Sequence, residues 1–206
     1  MRKTAILVSA LALVVTAGLG MGWYVRAQQV PASQVAIGGK VENVELASVA
    51  GQPVWLYDHA GAQGTLVIFV ATRCPVSNDY NERMAALPGD YAAKGVAVVG
   101  INANRQESAE EVASHAKQHG FSFPVLKDPG NLQADRFGAQ VTPEAFVFDA
   151  AWTLRYHGRI DDSRNPANIN TRDLRAAMDA ILAGKTLAVT ETKAFGCTIK
   201  RVSKTS

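Results

Sequence analysis

Only two thiols are available to this chain, Cys74 and Cys197. Two are too few for a disulfide-stapled scaffold or for a cysteine-rich zinc or iron–sulfur centre, so nucleophilic or redox chemistry is what they can do. Cys74 stands between Arg73 and Pro75, and the apolar residues that follow, Val76, Tyr80, Met84 and Leu87, recur at spacings of one helix face. Proline suits the first helical turn, where no backbone N–H is needed, so Cys74 falls at a helix start. Unpaired N–H groups and the positive end of the helix dipole favour its thiolate there, and Arg73 adds positive charge. A cysteine that merely fills a core sits within an apolar stripe, not between Arg and Pro. The place three residues on is taken by Ser77, so no disulfide can close within the motif. Cys197, beside Gly196 in the polar stretch 190–200, is either a resolving thiol for Cys74 or an incidental tail cysteine. Pairing cannot be deduced from sequence.

Other constellations are weaker. His115 and His119 are spaced for a metal pair on a helix, yet no third ligand joins them, and a solvated face is the plainer reading. Asp161 and Asp162 could help bind a cation or simply end the hairpin, the turn being the plainer reading, and Gly95, Gly100 and Gly120 do not assemble a phosphate loop. No metal or cofactor is expected. Arg2, Lys3 and Arg26 lie in the first 27 residues, which hold no acid, and the remaining charges balance, so a basic surface for nucleic acid is not supported. Arg2 and Lys3 precede 22 uncharged residues, 4–25, the pattern of an export signal or an N-terminal membrane anchor facing the far side of the membrane. That compartment lets disulfides persist.

The elements that must hold these residues read off hydrophobic periodicity. Residues 28–37 look like a linker, 38–185 like one domain and 186–206 like a mobile tail carrying Cys197. Residues 41–49 and 53–57 predict short strands. The unbroken apolar run 65–71 predicts a strand buried on both faces, and 96–103 a second, so 65–103 form a right-handed β-α-β unit. Ser108 and Glu111 predict a capping box opening a helix that Gly120 ends. A short strand (121–126), a short helix (131–137), two strands (145–149 and 154–160) and a last helix from Thr171 to Gly184 follow.

This order, with a cysteine at the strand-to-helix junction and Thr142-Pro143 before the hairpin, resembles the thioredoxin superfamily. The stretches 71–77, 100–104, 137–139, 141–144 and 196–200 resemble its redoxin or peroxiredoxin-like branch, the alkyl hydroperoxide reductase/thiol-specific antioxidant relatives, in an exported subset. The resemblance implies an α/β thioredoxin-like fold with a central mixed sheet flanked by helices. It also implies a cis Pro143 against the Cys74 sulfur, with Thr142 presenting its backbone to substrate, and Arg73 or Arg155 as the arginine of a peroxide site. Peroxiredoxins place a Pro seven and a Thr three residues before the reactive cysteine; here these are Val67 and Ala71. Thr72 is one residue off and should point elsewhere. The expected function is an exported thiol oxidoreductase, with Cys74 the nucleophile toward a disulfide or peroxide and Cys197 the resolving thiol. Its partners would be a protein disulfide, a low-molecular-weight thiol or a peroxide, with the membrane met only through the N-terminal segment. The alternative is a non-catalytic redoxin-fold module that docks thiols or holds Cu(I) between two thiolates.

Overall fold

The computed structural model describes residues 34–203. The leader at 1–27 lies outside them, and among the described residues no helix is long and apolar enough to cross a membrane.

The centre is β3 (Gly64–Phe69), every residue of which is buried. It pairs in parallel with β4 (Val96–Asn102) and antiparallel with β7 (Glu144–Asp149). Strand alternation sends Leu66 and Ile68 into one hydrophobic core and Val67 and Phe69 into a second on the opposite face, so one apolar run anchors both layers. β5 (Val125–Lys127), β1 (Glu45–Ala47) and β2 (Pro53–Trp55) extend the sheet beyond β4, and β8 (Leu154–Gly158) extends it beyond β7, giving the order β2-β1-β5-β4-β3-β7-β8. The mixed sheet flanked by helices is the architecture of the expected thioredoxin-like fold.

Several elements are shorter than their apolar patterns. β5 begins at Val125 because Pro124 has no N–H for the ladder, and Phe121 and Phe123 stack on each other at 4.7 Å instead. The helix after Cys74 is interrupted: α1 (Pro75–Asn78) gives way at Asp79–Tyr80 to α2 (Asn81–Tyr91). The apolar stripe survives the break, and Tyr80, Met84 and Leu87 are all buried. α3 (Ala109–Gln118) has half of its expected capping box: Ser108 Oγ accepts the Glu111 N–H at 3.2 Å, while the Glu111 carboxylate turns to Arg73. α4 (Leu132–Phe137) and α5 (Asp173–Leu182) complete the helices.

The C-terminal segment differs most from its sequence reading. Its composition predicts a mobile tail, but long-range partners tie it down. The Thr192 hydroxyl hydrogen-bonds the Tyr156 hydroxyl and the Arg159 N–H, and backbone bonds join Thr190 and Thr192 to His157. Farther on, β9 (Cys197–Thr198) pairs antiparallel with β6 (Val141–Thr142). Ile199 is buried in the second core, the Ile199 N–H donates to the Gln140 carbonyl, and the Lys200 and Val202 N–H groups donate to the Asn104 and Asn131 side chains. Arg201 closes the clamp on Asp135 at 2.8 Å.

Candidate active site

Cys74 is the N-cap of α1, with extended dihedrals (φ −89°, ψ 113°) that turn its sulfur back over the first turn to accept the Ser77 N–H at 3.3 Å. The residue is 4% exposed. Its thiol donates to the Thr142 carbonyl, 3.3 Å away, and the Thr142–Pro143 peptide bond is cis. Register then brings in the other cysteine. Cys197 stands opposite Thr142 in the β6–β9 pair, which brings its thiol up beside Cys74. Both cysteines are free thiols, Cys74 buried and Cys197 partly exposed. The strand pair thus supplies a second thiol where the motif itself has only Ser77, whose buried hydroxyl instead accepts the Ala71 N–H at 3.3 Å.

The electrostatics separate the two thiols. Burial pushes Cys74 up, but the neighbouring Cys197 thiol and the Ser77 N–H outweigh it, so its pKa lies below the ordinary cysteine value. Burial and the neighbouring Cys74 push Cys197 up, against the opposing Val76 N–H. Replacing Cys197 by alanine removes the largest of the influences holding Cys74 down. The expected result is a Cys74 pKa that moves upward, so that its alkylation by iodoacetamide, which follows the thiolate, rises at higher pH than in the wild type. An unshifted profile would show that the Cys197 thiol does not set it.

Gly196 permits the approach of the tail. A Cβ there would stand 2.0 Å from the Thr142 carbonyl oxygen, which is rigid backbone at the centre of the site. Gly196→Ala should therefore push β9 off β6, costing roughly 1–3 kcal/mol in urea unfolding, as overpacking does, and should speed alkylation of Cys74. Wild-type values in both measurements would mean that the tail is not held as described.

The sequence profile of the AhpC/TSA family matches residues 37–157, more than half of the chain. The chain belongs to the AhpC/TSA family. Among solved structures it is similar to a hypothetical protein of Sinorhizobium meliloti 1021, at 35% identity and a TM-score of 0.75 over 83% of this chain and 97% of the other. It is also similar to an uncharacterized conserved protein of Geobacillus kaustophilus, at 29% identity and a TM-score of 0.77 over 84% and 96% of the two chains. A curated relative is the thiol-disulfide oxidoreductase ResA of Halalkalibacterium halodurans, 28% identical over 123 residues; the match covers 60% of this chain and spans 65% of that relative's length.

In this AhpC/TSA chain the support beneath Cys74 is a buried polar network that sequence reasoning missed. Glu107, 5% exposed, accepts the Thr72 and Arg73 N–H groups at 2.9 and 3.1 Å, fixing the backbone that leads into Cys74. Its carboxylate also accepts from the Asn102 and Asn104 side chains. Lys127 Nζ donates to Asn102 Oδ1 and to the Glu107 carbonyl, each at 2.6 Å. The available signal was a polar residue, Asn102, ending a strand otherwise apolar, and Lys127 ending another.

The remaining sequence candidates fall elsewhere. The Arg73 guanidinium turns to Glu111, with Nε and Nη2 at 2.6 and 2.7 Å from its two oxygens, and this pairing leads the influences that hold Glu111 down at about 2. Thr72 donates its hydroxyl to the same carboxylate. Arg155 pairs with Asp149 at 3.2 Å. His115 Nε2 meets Asn78 Oδ1 at 3.0 Å and its ring lies against His119; among the described residues no cluster of three or more His, Cys, Asp or Glu could hold a metal ion. Asp161 is buried and gripped by Arg83.

Proposed function

We propose that this chain is a thiol–disulfide oxidoreductase that cycles Cys74 and Cys197 between a dithiol and an intramolecular disulfide. The observation that carries this reading is the β6–β9 pairing, which sets Cys197 opposite Thr142, the residue whose carbonyl accepts from the Cys74 thiol. The activity in the name of the H. halodurans relative agrees with it. In oxidation, the Cys74–Cys197 bond forms as two electrons and two protons pass to a disulfide or peroxide; in reduction, two substrate thiols return them. Cys74, whose pKa is lowered while that of Cys197 is raised, is the sulfur of the pair that ionises more readily. Toward peroxide, an oxidant small enough to reach a nearly buried sulfur, Cys74 attacks first and Cys197 resolves the sulfenate. Thr142 meets the Cys74 thiol through its carbonyl, just before the cis bond to Pro143, while Arg73 is taken up by Glu111. Export is part of the proposal and rests on the charge pattern of residues 1–27.

Oxidising the reduced chain with stoichiometric diamide and measuring thiols and intact mass tests the couple. The expected product has lost both thiols and two hydrogens, with no adduct retained. Two persistent thiols would overturn the reading, and a chain that instead takes up one Cu(I) and resists oxidation would favour the binding module.

Peroxide should be a poor oxidant. Ala71 has no hydroxyl to orient it, and the Thr72 hydroxyl is engaged by Glu111. A low thiol pKa does not replace a preorganised pocket, since nucleophilicity falls with pKa. Stopped-flow oxidation by hydrogen peroxide is expected to be much slower than disulfide exchange; a faster peroxide reaction would make this a peroxidase.

A further inference from the structure

The two sulfurs of the couple differ in access. Around Cys74 stand the Cys197 thiol, the Ser77 N–H and the Thr142 carbonyl, the last two each at 3.3 Å, and the residue is 4% exposed. An incoming sulfur must contact the sulfur it attacks from a side not occupied by the leaving group, and a residue only 4% exposed leaves little room for that at Cys74. Cys197 is partly exposed. The tail that covers Cys74 is held on both flanks, by His157, Tyr156 and Arg159 before Cys197 and by Gln140, Asn104, Asn131 and Asp135 after it. β9 also pairs with the two residues of β6, so an extended protein segment cannot add a strand there while the tail is in place.

Given that Cys74 and Cys197 form the couple, we propose that exchange begins at Cys197: a low-molecular-weight thiolate attacks the Cys197 sulfur of the oxidised couple, and Cys74 is the sulfur that leaves. The bond between Cys74 and Cys197 breaks as the bond between substrate sulfur and Cys197 forms, and Cys74 departs as thiolate with the electron pair. A second substrate thiolate then attacks the substrate sulfur of the mixed disulfide. A small disulfide is released, and Cys197 leaves as thiolate and takes up a proton. Two thiols are oxidised and the protein disulfide is reduced. The lowered pKa of Cys74 assists the first step, because a sulfur of lower pKa leaves faster. By microscopic reversibility the reduced protein attacks a small disulfide through Cys197, and the Cys74 thiolate then closes the couple. The substrate class is therefore a small soluble thiol or its disulfide, not a folded protein.

The test uses the full chain and glutathione as probe. Oxidised wild-type protein is mixed with reduced glutathione, quenched with N-ethylmaleimide and digested, and the peptides are identified by mass spectrometry. Glutathione on the Cys197 peptide with maleimide on Cys74 is the expected result. Glutathione on the Cys74 peptide overturns this inference and leaves the couple standing, whereas a chain that never forms the disulfide overturns the couple as well. The single variants give a lasting readout if the wild-type adduct collapses too fast to trap. With oxidised glutathione, Cys74→Ser should take an adduct on Cys197 roughly tenfold or more faster, per thiolate, than Cys197→Ser takes one on Cys74. The opposite ranking overturns the assignment.

Discussion

Replacing Glu107 by alanine is expected to destabilise the fold by about 3–5 kcal/mol, the cost of removing one partner from a buried charged network. The carboxylate accepts four donors, the Thr72 and Arg73 N–H groups and the side chains of Asn102 and Asn104, and alanine offers them nothing. Lys127 is hurt as well. Burial already holds it below the ordinary lysine value, and Glu107 is the foremost carboxylate opposing that shift. Urea unfolding should show the loss, with Glu107→Gln falling between wild type and alanine because one acceptor oxygen remains. The site should suffer beyond stability, since Glu107 holds the two residues that precede Cys74; in the folded variant, formation of the Cys74–Cys197 disulfide should slow. A loss below about 1 kcal/mol would mean that water replaces the carboxylate and the network is not closed.

Removing either sulfur should cost more in activity than any other single change. Both Cys74→Ser and Cys197→Ser are expected to lower turnover of a glutathione-linked disulfide reduction by about 100-fold or more, because residues that act as a unit fail together. The two variants should fail differently. Cys197→Ser leaves any sulfenate formed on Cys74 unresolved and long-lived, while Cys74→Ser leaves mixed disulfides stranded on Cys197. Intact-mass measurement after oxidation separates these products. Retention of more than about a tenth of the activity by either variant would show that one thiol suffices and that the couple is not the working unit. Stability should change little in either case, since serine keeps most of the volume and neither position anchors a core.

Much of the scaffold was legible in the residues because its rules are local. The apolar run at 65–71 could only be a strand buried on both faces, and Pro75 after Cys74 set a helix start, because proline fits the first turn whatever the rest of the chain does. Gly138, left-handed at the end of α4, and Gly184, left-handed just beyond α5, closed those helices where a positive φ was needed. The cis Pro143 against Cys74 came from resemblance to a family and not from any local preference. Even local rules gave way where a distant group competed: Glu111 had the position for a reciprocal cap, but the exposed Arg73 guanidinium drew its carboxylate away.

What only the tertiary structure decided concerns the thiols themselves. Sequence placed Cys74 at a helix start and gave it a reason to ionise, but it did not show that the residue is nearly buried or that its neighbour is Cys197 while Arg73 turns to Glu111. Nor did it show that the tail is fixed. The stretch around Cys197 is polar because its hydrogen-bonding groups have partners, and those partners, Gln140, Asn104, Asn131 and His157, lie far away in sequence. Composition records how strongly a segment wants polar contacts and not whether water or protein provides them. Helix starts, buried strands and turns are decided within a few residues, whereas the meeting of Cys74 with Cys197 depends on the register of β6 against β9, which exists only once the whole sheet has formed.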